Sequence, residues 1–226
     1  MAKRHSKRYQ KNLEKVPVER VEIPRAIEIL QSLETSKFDS TVELVMHLGV
    51  DPRQADQNLR GAISLPNGLG KTRTVIAFCE GDDVEAAKAA GAAEAGSDDL
   101  IKKVQDGWTD FDVAISTPAM MKNVSRLGRV LGPQGKMPSP KAGTVRDDVA
   151  EAVTEYAAGK VEYRNDAGGN LHVPVGKMSF DAPKLQENIE AFIDHVKKIR
   201  PLTTKGTYIK KVCLTATMTP AVLVQV

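Results

Sequence analysis

The sequence predicts a mixed protein in which an α/β unit interrupts an α+β unit built from both chain ends. Between residues 74 and 158, continuous apolar strands alternate with helices, which is typical of a parallel sheet covered on both faces. Towards the chain ends the strands are longer and have polar faces, which favours an antiparallel α+β unit. The 226 residues are enough for one large domain or two small ones.

The first stretch of chain, up to residue 67, has clear helix and strand patterns. Residues 24–35 have apolar side chains at helical spacing, with a proline in the first turn, which predicts a helix. Residues 41–48 alternate between polar and apolar and predict a half-buried strand. The other elements predicted here are a short helix from Asp51-Pro52 and a strand at 61–65.

The middle stretch follows a segment rich in Pro and Gly, residues 66–70. Its apolar strands, 74–79 and 111–116, have no polar face, as expected of strands buried on both sides. The helices predicted around them are 82–90, 97–105, one opening at Thr117-Pro118, and 146–158.

After Gly159 the alternation of strands and helices weakens, and local signals alone do not place a second seam. Strands at 161–164 and 171–175 flank a segment of turn residues, which predicts a hairpin. A long amphipathic helix is predicted at 182–199 and a long strand with a polar face at 207–219.

Composition excludes several classes of protein. Hydrophobic residues make up 41% and charged residues 27% of the chain, which excludes a disordered protein. No apolar run approaches the roughly 18 residues of a membrane-spanning helix, and the charged N-terminus lacks the apolar core of a secretory signal. Cys79 and Cys213 have no CxxC partner, which indicates a reducing compartment and no structural zinc. We expect a cytosolic protein without membrane contact.

The net charge of +3 is distributed unevenly along the chain. Residues 1–67 and 160–226 together carry 21 Lys and Arg against 15 Asp and Glu, whereas residues 68–159 carry 11 against 14. The first fifteen positions hold six basic residues and one acidic residue. Such an arm often lies on phosphates, and a solvated tail is the alternative.

No catalytic or metal-binding constellation is recognisable, so no cofactor is expected. None of the four histidines has a partner at ligand spacing. Gly70-Lys71-Thr72 resembles the end of a phosphate-binding loop, but position 65 is Leu instead of Gly, and a strand is predicted to follow. A hinge is the favoured interpretation, and a nucleotide-binding α/β enzyme is the alternative.

The most unusual segment is 122–146. It contains six basic residues, and no acidic residue occurs anywhere from Val113 to Arg146. Gly and Pro predict a loop whose backbone can approach a ligand closely, and the cations favour an anionic partner. A solvated surface loop is the alternative.

Residues 127–144 within this segment read Leu-Gly-Arg-Val-Leu-Gly-Pro-Gln-Gly-Lys-Met-Pro-Ser-Pro-Lys-Ala-Gly-Thr. They resemble the signature of the L-one family of large-subunit ribosomal proteins, which belong to the mobile stalk beside the tRNA exit site. Other blocks that resemble the family occur in order along the chain, at 37–43, 51–53, 56–61, 107–108, 163–166, 175–177 and 215–218. The resemblance covers residues 3–220.

The resemblance implies an α+β domain at 1–67 and 160–226 that binds large-subunit (23S-type) rRNA, with an inserted Rossmann-like α/β domain at 68–159. It implies a structural constituent of the large ribosomal subunit in the cytoplasm, not an enzyme. The implied partners are large-subunit rRNA, exit-site tRNA and the protein's own mRNA. By the same resemblance, the protein assists the movement and release of deacylated tRNA and represses translation of that mRNA. No obligate homo-oligomer is expected.

The family's RNA contacts, carried over by motif, fall on both chain ends. Phe38 and Met218 would offer apolar contact to a base or ribose, hydroxyls would bond 2′-hydroxyls, and basic side chains would hold phosphates. The predicted RNA-binding residues are Lys37, Phe38, Asp39, Thr41, His47, Arg53, Arg164, His172, Lys177, Ser179, Thr215, Thr217, Met218 and Thr219.

Two of these positions depart from the family's pattern. Thr219 stands where the family usually has Gly, and a Cβ there would obstruct a close approach of RNA to the backbone. His47 stands where a basic residue is common, which predicts a weaker or pH-dependent phosphate contact.

Overall fold

A computed structural model describes residues 5–226 of the chain. Residues 1–4, with Lys3 and Arg4 of the predicted basic arm, lie outside the described residues. Contacts divide the chain into two compact units. We call the first, which runs to Gly70 and resumes at Tyr163, the two-ended unit, and the second, Lys71–Glu162, the inserted unit. The mixed α/β and α+β class is confirmed, and the predicted domain boundaries stay a prediction.

The described part of the chain contains eight α-helices and nine strands. The helices are α1 (Lys7–Lys15), α2 (Ile23–Ser32), α3 (Asp83–Ala89), α4 (Asp98–Gln105), α5 (Met121–Val124), α6 (Gly128–Leu131), α7 (Val149–Ala157) and α8 (Ala182–Lys198). The strands are β1 (Thr41–Leu48), β2 (Arg60–Ile63), β3 (Val75–Phe78), β4 (Glu94–Gly96), β5 (Val113–Ser116), β6 (Val161–Arg164), β7 (Asn170–Lys177), β8 (Ile209–Ala216) and β9 (Val222–Val224). Short 3-10 helices cover Ala55–Gln57, Ser125–Leu127 and Pro140–Ala142.

The two-ended unit is built on an antiparallel sheet with helices on one face. The strand order is β7-β1-β8-β9, so β1 pairs with both β7 and β8. Helices α2 and α8 contact each other and the sheet. Residues of β1 alternate between buried and half-buried along its whole length, because one side of the strand faces the core and the other does not. We call the side away from the core the open face.

The inserted unit is built on a parallel sheet of order β4-β3-β5. Val75 and Ala77 of β3 pack in one core cluster with residues of α3 and α7. Ile76 and Phe78 pack in a second cluster with residues of α4 and of the chain after β5. Every residue of β3 and β5 is buried, and the predicted covering of both sheet faces is therefore confirmed.

The N-terminal basic arm is helical from Lys7 onward, where the sequence patterns predicted no element. The Ser6 hydroxyl caps the helix by accepting a bond from the Tyr9 amide, at 3.2 Å. Asn12 is fully buried and fixes the helix to the body of the unit. Its partner, Glu34, lies 22 residues away along the chain, so no local pattern indicates the contact.

The predicted hairpin around residues 165–170 is wrong. β7 pairs with β1, whereas β6 pairs with β2 in a separate two-stranded sheet. An isolated bridge between Asn165 and Leu171 is what remains of the hairpin. The Gly-rich turn is present, but each strand finds a more extensive partner elsewhere in the fold.

The short helix predicted from Asp51 is also wrong. The Asp51 carboxylate accepts a bond from the amide of Arg53, at 3.1 Å, and this bond closes an Asx turn instead of starting a helix. A single turn of 3-10 helix follows at Ala55–Gln57.

The predicted Gly/Pro loop at 122–146 is helical up to Leu131 and consists mainly of turns and irregular chain after it. Val124, Leu127 and Leu131 recur at helical spacing and are fully buried against the sheet. The apolar spacing therefore determines the local structure before Gly132, and the Gly and Pro residues determine the turns after it. Within residues 5–226 no helix is both long and apolar enough to cross a bilayer.

Candidate nucleic-acid interface

The open face of the two-ended unit presents rows of side chains across three strands. Each row joins one residue of β7, one of β1 and one of β8, because the two pairings of β1 place these residues side by side. The rows are Asn170 with His47 and Lys211, His172 with Val45 and Cys213, and Pro174 with Glu43 and Thr215.

Three separate segments meet at the end of the sheet where β1 begins. The Lys177 ammonium donates to the Thr41 hydroxyl at 2.9 Å and to the Asp39 carbonyl at 3.4 Å. The Thr217 amide donates to the Thr41 carbonyl at 3.1 Å. We call the predicted residues on these segments the sheet-end cluster: Lys37, Phe38, Asp39, Thr41, Lys177, Ser179, Thr215, Thr217, Met218 and Thr219.

Asp39 holds two of these segments together. Its carboxylate accepts one bond from the Ser179 hydroxyl at 2.8 Å and another from the Ser179 amide at 3.2 Å. Both oxygens of the carboxylate are thus engaged within the protein. Asp39 therefore acts as a positioning residue that orients the segment after β7 beside the segment before β1.

The cluster exposes two large apolar side chains. Phe38 is 56% exposed and Met218 is 67% exposed, so Phe38 does not belong to the core. Met218 has a φ of 68° and is the one non-glycine residue with a positive φ between residues 5 and 226. Such a backbone costs free energy for any residue with a Cβ, and here it directs an apolar side chain outward.

Thr219 lies inside the turn that follows β8. Its amide donates to the Ala216 carbonyl at 3.0 Å, and its hydroxyl both donates to that carbonyl and accepts from the Ala216 amide, each at 3.0 Å. The residue is only 8% exposed. The hydroxyl and the backbone of Thr219 are therefore engaged within the turn, and little of the residue is exposed to a ligand.

Four of the predicted RNA-binding residues lie away from the sheet-end cluster. His47 is six residues further along β1 than Thr41, about 20 Å away at 3.3 Å per residue, and its Nδ1 lies 2.8 Å from the Asn170 side-chain oxygen. His172 lies on the open face, with Nε2 3.9 Å from the Asp166 carboxylate. Arg53 lies in the turn after β1 and Arg164 on β6.

Hydrogen bonding shifts one pKa and burial shifts another on or next to the open face. The Asn170 side chain and backbone hold the pKa of Asp166 below its usual value. Burial raises the pKa of the Cys213 thiol, which keeps it neutral on the open face. The sequence patterns indicated the alternation of Lys211 and Cys213 along β8 but not the row in which each lies.

The Gly70-Lys71-Thr72 segment does not form a phosphate-binding loop. The chain after Gly70-Lys71-Thr72 continues into strand β3 and not into a helix, so no helix N-terminus faces a phosphate there. Among residues 5–226, no group of three or more His, Cys, Asp or Glu side chains is placed to hold a metal ion.

Comparison with known proteins decides the family. Residues 30–220 match the model of the Ribosomal protein L1p/L10e family. The chain belongs to this family. As a member it is a ribosomal protein of the large subunit and not an enzyme, so the nucleotide-binding enzyme considered as an alternative is wrong.

Curated relatives in this family are similar over nearly the whole chain, and all three below are named large ribosomal subunit protein uL1. The protein from Rhodopirellula baltica is 58% identical over 97% of this chain and 97% of its own length. The protein from Limosilactobacillus reuteri is 52% identical over 98% and 97%. The protein from Kosmotoga olearia is 53% identical over 88% and 87%.

Proposed function

We propose that this ribosomal protein binds large-subunit rRNA, in the ribosome of the cytoplasm, through the sheet-end cluster and the adjoining open face. The observation that carries the proposal is the convergence of residues 37–41, 177–179 and 215–219 at one sheet end. RNA recognition of unpaired nucleotides uses flat apolar contacts to bases, hydroxyls that bond 2′-hydroxyls, and cations for phosphates. The cluster presents all three kinds of group side by side.

The Lys177 ammonium of the cluster is held in place before any RNA arrives. Two of the three Lys177 ammonium protons are directed at Thr41 and Asp39, which leaves the third for a phosphate. No carboxylate in the described part of the chain forms an ion pair with Lys177. A cation that is oriented but not neutralised loses little rotamer freedom when it binds.

The proposal is tested by titrating the full chain with a large-subunit rRNA stalk fragment and with a scrambled RNA of equal length. Both titrations use the same salt concentration, because phosphate contacts make affinity depend on salt. We expect the stalk fragment to bind about a thousandfold more tightly than the scrambled RNA. Equal affinities would show that the surface attracts RNA in general, and the proposal would be abandoned.

Met218→Gly is expected to stabilise the protein and weaken its RNA binding. Relief of the left-handed backbone contributes about 1–2 kcal/mol, offset by up to about 1 kcal/mol for the freer unfolded chain, so the free energy of unfolding should rise by roughly 1 kcal/mol. Loss of the exposed side chain should weaken rRNA binding about tenfold. Denaturant unfolding and RNA titration measure the two effects.

Met218→Ala is the matched control for this substitution. It removes the same contact with RNA but keeps a Cβ at a φ of 68°, so it should weaken binding equally without stabilising the fold. If Met218→Gly bound rRNA as tightly as the natural chain, Met218 would have no place in the interface.

We propose, second, that a basic stripe on the inserted unit contacts exit-site tRNA. Lys122, Arg126 and Arg129 recur at helical spacing and are exposed, on the side away from the buried Val124 and Leu127. None of the three forms an ion pair with an acid in the part of the chain that the structure describes. Unpaired cations on a fixed helical surface favour a polyanion.

Arg126→Gln with Arg129→Gln should weaken binding of deacylated tRNA about tenfold and leave rRNA-fragment binding within about twofold. The control is Lys88→Gln with Lys102→Gln, which removes two exposed cations of the same unit from helices α3 and α4. An equal loss of tRNA affinity in both double variants would point to net charge and not to the stripe.

We propose, third, that the sheet-end cluster also binds the protein's own mRNA and thereby represses its translation. The groups in the cluster read unpaired bases, riboses and phosphates, and these can be presented by any RNA that folds like the rRNA site. The rRNA fragment and the mRNA leader should therefore compete for one site. Simultaneous binding of both RNAs to one chain would contradict this assignment.

A further inference from the structure

Helix α1 is a fixed part of the two-ended unit, not a free basic tail. Asn12 is fully buried, and its amide donates to the Glu34 carbonyl at 2.8 Å while its oxygen accepts from the Glu34 amide at 3.0 Å. One helical turn earlier, the Arg8 guanidinium donates to the Thr35 carbonyl at 3.2 Å. These bonds hold one side of the helix against the chain that leaves α2.

This docking site places α1 beside the sheet-end cluster. Thr35, the partner of Arg8, is two residues before Lys37 and three before Phe38. Three residues of fully extended chain span at most about 11 Å. The Arg8 end of α1 is therefore docked on chain that leads, within three residues, to the exposed Phe38 of the cluster.

The helix carries exposed cations at regular intervals. Lys7, Lys11 and Lys15 recur every fourth residue, and all three are exposed. Successive lysines are thus about 6 Å apart along the helix axis and lie along one flank. No acid within residues 5–226 forms an ion pair with any of them, although Glu14 is in the same helix.

We propose that α1 is a second RNA-contacting element, in which Lys7, Lys11 and Lys15 bind backbone phosphates of the RNA held at the sheet-end cluster. This inference rests on the proposed rRNA function and adds to it a phosphate-binding helix. Lysine binds phosphates as a point charge without reading bases. The helix therefore contributes affinity and salt dependence, while the cluster contributes the choice of sequence.

Docking makes the lysines more effective than the same residues in a flexible arm would be. A disordered arm must be ordered when RNA binds, and the conformational entropy it loses weakens the complex. The bonds of Asn12 and Arg8 already impose that order in the free protein. The lysine side chains alone then have to be immobilised.

The test compares two triple variants of the full chain, K7Q/K11Q/K15Q and K184Q/K197Q/K198Q. Gln is almost as good a helix former as Lys, and each triple variant removes three exposed lysines from a helix. The second set lies on α8, which packs on the core side of the sheet. Affinity for the rRNA stalk fragment is measured over a series of salt concentrations.

The α1 variant should lower the slope of log affinity against log salt by about 2–3, because each phosphate contact contributes about 0.7–0.9. Its affinity should fall about ten- to a hundredfold at physiological salt, and K7R/K11R/K15R should restore it. The α8 variant should change the slope by less than about 1. An unchanged slope in the α1 variant, or equal changes in the two triple variants, would overturn the inference.

The Phe38→Ala variant separates this inference from the proposed function. If Phe38→Ala weakens binding and the α1 variant does not, the sheet-end cluster binds rRNA and α1 takes no part. If the natural chain itself fails to prefer the stalk fragment over scrambled RNA, the proposed function fails first.

Discussion

Asn188→Ala should lower the free energy of unfolding by about 3 kcal/mol. The Asn188 side chain is fully buried on α8. Its amide donates to the Val175 carbonyl at 2.8 Å and to the Gly68 carbonyl at 3.0 Å, and its oxygen accepts from the Asn67 amide at 3.0 Å. Alanine leaves three backbone groups without this partner, one in a buried bond and two in partly buried bonds. A buried polar group left unpaired costs about 1–3 kcal/mol, and the two partly buried groups add less.

Denaturant unfolding of the two-ended unit measures the effect, and Asn67→Ala is the control. The Asn67 side chain also bonds to α8, through the Lys184 carbonyl and the Glu187 carboxylate, but both bonds are solvent-exposed. Its loss should cost less than about 1 kcal/mol. Equal effects of the two substitutions would mean that water can replace the Asn188 amide, contrary to its burial.

Phe38→Ala is expected to weaken binding of the rRNA stalk fragment by about 1–3 kcal/mol, the range for loss of a stacked aromatic contact. Because the ring is 56% exposed in the free protein, its removal should leave the free energy of unfolding nearly unchanged. The substitution therefore separates recognition from folding. Titration at one fixed salt concentration, beside denaturant unfolding, measures both.

Leu202→Ala is the matched control, since Leu202 is a fully exposed apolar residue of the same unit that lies outside the cluster. It should alter RNA affinity by less than about 0.5 kcal/mol. Phe38→Tyr keeps the aromatic face and should retain most of the affinity. An unchanged dissociation constant for Phe38→Ala would remove the residue from the interface.

The regular elements could be predicted wherever burial imposes a period on the sequence. β1 has the predicted bounds because its alternation is strict, and α8 ends one residue before the predicted helix end. β4 and β9 have three residues each and are too short to show a period. α1 could not be predicted, because the contact that fixes it joins Asn12 to the backbone of Glu34, 22 residues away along the chain.

For the candidate site, the sequence could indicate residue types but not their neighbours. An aromatic residue between Lys37 and Asp39 favours an exposed ring, and Phe38 is exposed. The bond between Asp39 and Ser179 spans 140 residues and follows from sheet register alone. The neighbours of His47 could not be predicted either. The motif resemblance groups His47 with the residues of the cluster, but the length of β1 separates it from them.

The position of β1 between two other strands also determines when it can form its hydrogen bonds during synthesis. β1 occupies residues 41–48, yet both of its hydrogen-bonded neighbours, β7 and β8, lie beyond residue 169. A nascent chain must therefore carry β1 unpaired while the whole inserted unit is made, because long-range pairing waits for the later strands. The cluster that joins Thr41 to Lys177 and Thr217 forms last. A truncated chain that stops before β8 would thus lack the surface that competes for RNA.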